Sequence, residues 1–311
     1  MASVVCDPWN LSMHQVMLAH IRIGTRFSYT TSPLRPEPTQ LDGSNLLYSR
    51  SFHFLALPHD LENQVNTLLS SRAEHGITER PLIVRDTAPM DCDSVNPESH
   101  LKASALVDVL SPNHIELDRL FNGKSEKDIE FSQSNIEIQA NLFVEASIGP
   151  DRKGVIMVLS GHYGAIVPSD GKQPEWLPAY YGKDIEEAVD ATGASNAFPG
   201  AFAAAFQETK DPEEACLRGA VAASYAIKQR SPHTLIAATS ESSELWNGSN
   251  VLSLLDELKI RGSAALRALR ANSWLALSEV LLIGMIEANE SSPENFFDVI
   301  ENDVHRELTY R

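Results

Sequence analysis

The sequence predicts an α/β fold with a mainly parallel sheet and helices on both of its faces. The main observation is that short apolar segments, typical of buried strands, alternate with segments of helical period from residue 51 to residue 167. The chain has 311 residues, of which 43% are hydrophobic and 22% are charged. This length accommodates one large or two small domains, and the composition is that of an ordinary globular protein.

The predicted strands and helices follow one another in regular order. We predict buried strands at Phe52–Leu57, Pro81–Asp86, Leu106–Leu110 and Val155–Leu159, with Gly164–Val167 as a hairpin partner of the last. The helices predicted between them are Leu61–Ser71, Ser99–Ser104, His114–Phe121 and Ser132–Ser147. In sheets of this type ligands bind beyond the carboxyl ends of the strands, so functional residues are expected directly after predicted strands.

The remaining chain is predicted to be largely helical. Asp211 as N-cap, Pro212 at the first position and two acidic residues in the first turn predict a helix that runs to Ile227. An amphipathic helix follows from Val251 and is broken near Gly262. Two more helices, Trp274–Ala288 and Pro293–Arg306, complete a C-terminal extension that either packs against the domain or forms a dimerisation or partner surface.

The charge and hydropathy of the chain exclude several classes of protein. The net charge of -17 argues against nucleic-acid binding, which needs Lys and Arg gathered on one face. Nucleotides remain compatible, because the amides of a helix N-terminus hold phosphate whatever the global charge. No signal-peptide pattern is found, and the apolar stretch Trp274–Ala288 is shorter than the roughly 20 residues that a membrane span needs. We therefore predict a cytoplasmic protein without membrane contacts.

One glycine-containing segment has the composition of a phosphate-binding turn. Residues 190–198 read Asp-Ala-Thr-Gly-Ala-Ser-Asn-Ala-Phe and precede a helix rich in small residues, Gly200–Phe206. Gly193 allows a sharp turn that aims successive amides outward. A helix that opens at Asn196 would add its unpaired N–H groups and the positive end of its dipole. We predict an anion cradle at this position.

The segment resembles the second signature of the ribokinase-like PfkB family of small-molecule kinases, whose usual form is Asp-Thr-Thr-Gly-Ala-Gly-Asp-Ala-Phe. Two earlier motifs agree in order and spacing. Asn113-His-Ile-Glu116 matches the family's Asn-x-x-Glu, and Ser160-Gly-His-Tyr-Gly164 resembles its Gly-x-x-Gly turn. The resemblance covers roughly residues 51–230 and is nearest to a divergent branch common in fungi. It divides the chain into a divergent segment 1–50, a ribokinase-like nucleotide-binding core 51–245 and a helical extension 246–311.

The resemblance implies ATP and Mg²⁺ as cofactors and a role for each motif. Gly193, Ala194 and Ser195 would form the anion hole, and the turn with Ser160, Gly161 and Gly164 would help to bind ATP. Asn113 and Glu116 would act indirectly, through magnesium. The partners implied are a nucleotide and a small molecule with a hydroxyl group. Apart from the resemblance, the C-terminal helices would form a surface for homo-oligomers if they do not pack against the domain.

Departures from the family pattern at the signature and at the N-terminus bear on activity. Asn196 stands where the family has the aspartate that takes the proton from the attacking hydroxyl, and a neutral amide does not accept that proton. Ser195 replaces the second glycine of the signature. The early strand with a substrate-binding Asp and the lid with a Gly-Gly turn are not found before Ser51, which predicts a lid that is reduced or absent. The sequence is compatible with a kinase of low or altered activity and with a pseudokinase.

A further acidic cluster follows the predicted strand Pro81–Asp86. It contains Asp86, Asp91 and Asp93. We interpret the cluster as a solvated loop, and a cation site is the alternative.

Overall fold

A computed structural model describes residues 2–3, 36–87, 92, 96–168, 174–183, 189, 193–228, 235–239 and 243–262. The chain divides into two units, Met1–Leu258 and Lys259–Arg311. The main sheet of the first unit has five strands in the order β1 (Ala2–Ser3), β2 (Ser51–Leu55), β3 (Leu82–Asp86), β4 (Val109–Ser111) and β5 (Val155–Ile156). Strands β2 to β5 are parallel, and β1 pairs with β2 in the antiparallel direction.

Helices cover both faces of this sheet. Because β2 to β5 are added in sequence order and crossovers are right-handed, the helices between them lie on one face. These are α1 (Pro58–Glu74), α2 (Pro97–Ser104), α3 (His114–Asn122) and α4 (Gln133–Ala146). The opposite face is covered by α5 (Ala194–Thr209) and α6 (Pro212–Ile227). The predicted α/β fold, mainly parallel with helices on both faces, is therefore confirmed.

Two apolar cores lie on the two faces of the sheet, as the alternation of side chains along a strand requires. Phe54, Ile83 and Leu110 point toward the core under α1 to α4. Val84 and Val109 point toward the core under α5 and α6. Strands β3 and β4 therefore contribute to both cores, which explains why these two strands contain apolar residues in succession.

A smaller antiparallel sheet continues from the main one. It consists of β6 (Val158–Leu159), β7 (Ala165–Val167) and β8 (Glu175–Leu177). The amides of Val155, Met157 and Leu159 donate to alternate carbonyls of the β4 segment, at 2.9, 2.8 and 3.0 Å. The predicted strand Val155–Leu159 is thus one hydrogen-bonded stretch that joins both sheets, and its predicted hairpin partner is confirmed as β7.

Other elements differ from the sequence prediction or lie outside the described residues. Strand β4 begins at Val109 instead of Leu106, because the amides of Leu106 and Val107 bond to carbonyls at the end of α2. A two-stranded hairpin, β9 (Leu235–Ile236) with β10 (Leu245–Trp246), was not predicted. Residues 251–262 are helical, as predicted, whereas the predicted helices Trp274–Ala288 and Pro293–Arg306 lie outside the described residues. None of the helices in the described ranges has the length and hydropathy to span a membrane.

Candidate functional site

Asn113 and Glu116 form a reciprocal cap at the start of α3, directly after the carboxyl end of β4. The Glu116 amide donates to Asn113 Oδ1, and the Asn113 amide donates to Glu116 Oε2, each at 2.9 Å. This is the geometry of a capping box, which satisfies two amides of the first helical turn. The motif therefore has a structural role that accounts for its spacing whether or not it also binds a ligand.

The Glu116 carboxylate is buried and accepts a second hydrogen bond, from a residue outside its own helix. Thr87, the residue after β3, donates its hydroxyl to Glu116 Oε2. Glu116 is 7% exposed, and this burial raises the pKa of its carboxyl to about 7, although the bonds from Thr87 and Asn113 oppose the rise. Asp86 raises this pKa further through its negative charge. A nearby cation would stabilise the ionised form of this carboxylate.

Magnesium fits this site only in an indirect mode. Asn113 Oδ1 and Glu116 Oε2 are engaged in the capping box, so Glu116 Oε1 is the remaining acceptor of the pair. Within the part of the chain that the structure describes, no three His, Cys, Asp or Glu side chains are grouped so that they could hold a metal ion. The residues present are compatible with magnesium that arrives with nucleotide phosphates, with water between the ion and the protein.

The turn Ser160–Gly164 lies beside the capping box. An isolated parallel bridge joins Asn113 to Leu159, which places Ser160 next to the start of α3. The Ser160 amide donates to the Gly164 carbonyl at 2.8 Å and closes the turn. Gly164 has a φ of 100°, and a Cβ there would lie 2.1 Å from the Leu177 carbonyl oxygen. The glycine at this position is therefore a requirement of the fold.

Ser160 carries an unused polar group in this turn. Its side chain is fully buried, and its hydroxyl has no hydrogen-bond partner among the described residues. Gly161 begins a 3₁₀ turn with a φ of 57°. The turn is packed on one side by Tyr163, whose ring stacks on that of Phe131.

The N-terminus of α5 begins at a glycine. Gly193 is its N-cap with a φ of 90°, and no side chain among the described residues caps the helix. The Gly193 carbonyl accepts the amides of Asn196 and Ala197 at 3.1 and 2.9 Å, so the first helical residue is Ala194 and the prediction that the helix opens at Asn196 is wrong by two residues. Ser195 and Asn196 are exposed in the first turn. Helices α3, α4 and α6, by contrast, are each capped by a side chain.

The direction of α5 places its N-terminus at the carboxyl edge of the sheet. Near its other end, Gln207 Nε2 donates at 2.8 Å to the carbonyl of Arg50, the residue that precedes β2. Because α5 packs on β2 and β3, it must run antiparallel to them, and Gly193–Asn196 lies toward the edge where Asn113 and Ser160 follow their strands. The predicted site residues therefore share one edge of the sheet. Asp190 and Thr192 of the signature lie outside the described residues.

A polar group that the sequence prediction interpreted differently lies at the same edge. Asp86, the last residue of β3, is 9% exposed, and its Oδ2 is 2.9 Å from His53 Nε2. The interpretation of this residue as part of a solvated loop is wrong, because α5 covers this face of the sheet; Asp91 and Asp93 lie outside the described residues. His53, Thr87 and Ser111 were missed. Their signal was weak, since each is a single polar residue in or after a strand.

A cavity of about 400 Å³ is present at the opposite end of α3. It contains none of the predicted site residues and is lined by Cys92, Arg119, Gly123, Lys124, Ser125 and Glu126. Burial raises the pKa of the Cys92 thiol to about 12, and the charge of Glu116 adds to the effect. This thiol stays protonated at neutral pH and is no candidate for a nucleophile.

Comparison with known proteins gives a matching family model and a similar curated protein. The family model described as pfkB family carbohydrate kinase matches residues 29–238. An uncharacterized protein of Schizosaccharomyces pombe is 30% identical over 247 residues, which are 74% of this chain and 65% of that protein. The chain thus spans less than two thirds of the length of this relative.

This chain also matches only part of the length of the solved structures that resemble it. Ribokinase from Arabidopsis thaliana, complexed with ribose and ATP, is 23% identical with a TM-score of 0.43, over 64% of this chain and 53% of that one. Adenosine kinase from Schistosoma mansoni, in complex with 2-fluoroadenosine, is 15% identical with a TM-score of 0.46, over 62% and 56% of the two chains.

Proposed function

Because the chain belongs to the pfkB family of carbohydrate kinases, we propose that it transfers the γ-phosphate of ATP to a hydroxyl of a sugar-like or other small molecule, with low or altered activity. The observation that carries the proposal is the N-terminus of α5 at the carboxyl edge of the sheet, which no side chain of the described residues caps. The amides of its first turn and its dipole favour the charge that develops on a phosphoryl group during transfer.

Each predicted site residue has a distinct part in this proposal. The amides of Ala194 and Ser195 hold the γ-phosphate, and Gly193 allows the backbone turn that presents them. The buried hydroxyl of Ser160 and the turn from Gly161 to Gly164 bind the nucleotide. Glu116, positioned by Asn113 and Thr87, attracts the magnesium that ATP carries, because a cation favours its ionised form.

A pseudokinase is the second candidate, and Asn196 is the observation that favours it. The side chain is exposed in the first turn of α5, so it can orient a hydroxyl by hydrogen bonding, but an amide does not accept the proton of that hydroxyl. Loss of a general base typically costs about 10²–10⁴ in rate. In this case the protein binds nucleotide or a partner without phosphoryl transfer.

Calorimetric titration with ATP, with and without Mg²⁺, tests nucleotide binding at α5. Micromolar binding that strengthens with Mg²⁺ is expected. A matched pair of variants at an exposed position, S195E and S195Q, separates charge from size. The S195E variant places a negative charge in the cradle and should weaken ATP binding at least about tenfold, whereas the uncharged S195Q should have a much smaller effect. Equal effects of the two variants, or no binding by the wild type, would contradict a cradle at α5.

Phosphoryl transfer is tested separately from binding. Transfer of the γ-phosphate from ATP to D-ribose, D-fructose and adenosine is followed with the purified 311-residue chain. ATP consumption in the presence of any of these acceptors that exceeds ATP hydrolysis without an acceptor supports the proposal that the protein is a kinase. Binding of ATP without transfer, in the wild type and in the N196D variant alike, would support the pseudokinase.

A further inference from the structure

Asp86 presents an unused carboxylate oxygen to the face of the sheet that α5 covers. Its Oδ2 is held 2.9 Å from His53 Nε2, whereas Oδ1 is buried and has no hydrogen-bond partner among the described residues. A buried carboxylate oxygen without a donor is costly, and such exceptions mark places where a further polar group binds. Ser111, its cross-strand neighbour on β4, is 4% exposed, and its hydroxyl lacks a partner in the same part of the structure.

These two side chains point toward α5. Val84 and Val109 pack in the core under α5 and α6, and side chains two positions apart on a strand share a face. Asp86 and Ser111 are two residues further along the same strands, at their carboxyl ends. They therefore lie on the α5 face at the edge where that helix begins.

Asn196 and Asp86 lie at the same level along the sheet. Gln207 contacts the carbonyl of Arg50, and Asn196 lies three turns earlier on nearly the same side of α5, about 16 Å along the helix axis. Asp86 is paired with Leu55, which is about 16 Å beyond Arg50 along β2. Because α5 runs antiparallel to the strands, Asn196 lies opposite the His53–Asp86 pair.

We propose that Asp86 is the proton acceptor for the hydroxyl that Asn196 orients, in place of the aspartate that the signature lacks; this inference rests on the proposed function. The acceptor hydroxyl transfers its proton to Asp86 Oδ1, and its oxygen forms a bond to the γ-phosphorus of ATP. The bond between that phosphorus and the bridging oxygen breaks, and its electron pair leaves with ADP. His53 is a positioning residue, because it holds Oδ2 and leaves Oδ1 free for the proton.

Removal of the Asp86 carboxylate tests the proposal. The acceptor of the ribose, fructose and adenosine panel that gives the highest turnover is used with the 311-residue chain. The D86N variant should lower kcat about 10²–10⁴-fold, while the Kd of Mg·ATP stays within about threefold of the wild type. In the N196D background, where a carboxylate is restored on α5, the same substitution should cost less than about tenfold. The matched control is D108N, at a half-buried aspartate of the amino edge, which should leave kcat unchanged.

A second variant keeps the test decisive if D86N does not fold. The D86A variant removes the acceptor, and added formate supplies a carboxylate of small size, so recovery of at least about tenfold in kcat with formate is expected. A structural role of Asp86 would give no such rescue.

Three results would overturn the inference. A kcat of D86N within about threefold of the wild type would mean that another group takes the proton. Loss of Mg·ATP binding in D86N would assign Asp86 to the ligand and not to proton transfer. Absence of turnover in the wild type and in N196D would overturn the proposed function and this inference together, which distinguishes it from the first two results.

Discussion

At the scale of single residues, Asn196 decides between the two proposed functions. The N196D variant restores a proton acceptor in the first turn of α5, where acidic side chains also stabilise the helix through its dipole. If the rest of the site is competent, we expect an increase in phosphoryl transfer, up to about 10²–10⁴-fold where no other group accepts the proton. A coupled assay of ADP release with the acceptor panel measures it. No turnover in the wild type and no gain in N196D with any acceptor would contradict the kinase, whereas no gain over an active wild type would agree with proton transfer to Asp86.

The ionisation of Glu116 gives a second prediction at this scale. Its pKa of about 7 in the folded protein is above the value of 4.5 in an unfolded chain, so the folded state favours the protonated form. Its contribution to stability is fully present below pH 4.5 and is lost as the pH rises toward 7 and above. The E116Q variant does not titrate, so its stability relative to the wild type should increase between pH 5 and pH 8 by roughly 2–3 kcal/mol.

Urea unfolding at several pH values measures this difference. The control is E145Q, an exposed glutamate of α4, whose stability should follow that of the wild type at each pH. Parallel pH profiles for E116Q and the wild type would mean that the Glu116 carboxylate is ionised in the folded protein throughout this range.

At the scale of elements, a buried carboxylate joins α3 to α4. Asp118 is 3% exposed and accepts hydrogen bonds from Asn122 on its own helix and from Asn135 and Gln139 on α4. Burial opposes ionisation, but these bonds hold the pKa of the carboxyl below its usual value. The contacts fix α4 against the helix that carries Glu116.

In the D118N variant the amide oxygen can take the place of Oδ1, which accepts all three bonds, and the new NH₂ group takes the place of Oδ2, which lies 3.3 Å from Lys124 Nζ. We expect a loss of about 1–3 kcal/mol in the free energy of unfolding at pH 7, because the three bonds lose an ionised acceptor and the contact with Lys124 becomes one between two donors. Since the pKa of Asp118 is lowered, this difference should shrink as the pH falls below about 4, where the wild-type carboxylate also becomes protonated. D128N, at an exposed aspartate between the same helices, serves as control in urea unfolding. A difference that does not depend on pH would argue against the charged network.

Elements with local signals were predictable from the sequence, and those set by distant contacts were not. The caps Asn113 with Glu116 and Asp211 with Pro212 are encoded within four residues, and α3 and α6 begin where predicted. The start of α5 was misplaced because it depends on the left-handed φ of Gly193. The burial of Asp86 depends on α5, which follows it by more than a hundred residues, so the local pattern alone predicted a solvated loop.

The same distinction holds for the candidate site. The motif residues were found from their spacing, because each motif is a short run after a strand. The bond from Thr87 to Glu116 joins residues that follow different strands, and the contact of His53 with Asp86 joins two strands. Such partners are set by the order of strands in the sheet, which is a property of the fold.

At the scale of the whole molecule, net charge and local site act on nucleotides in opposite directions. The chain carries a net charge of -17, which repels anions at long range, whereas the α5 N-terminus attracts phosphate only at close range. The Debye length falls from about 30 Å at 0.01 M salt to about 8 Å at 0.15 M. Salt therefore weakens the long-range repulsion more than the contact between phosphate and the α5 N-terminus.

We therefore expect the association rate constant of Mg·ATP to rise with ionic strength, by up to about tenfold between 0.01 and 0.15 M, while the dissociation rate changes less. Stopped-flow measurements with a fluorescent ATP analogue give both rates. Adenosine, which is uncharged, is the matched control, and its association should be independent of salt. An association rate for Mg·ATP that falls with salt would mean that a local positive potential reaches beyond the site and outweighs the charge of the chain.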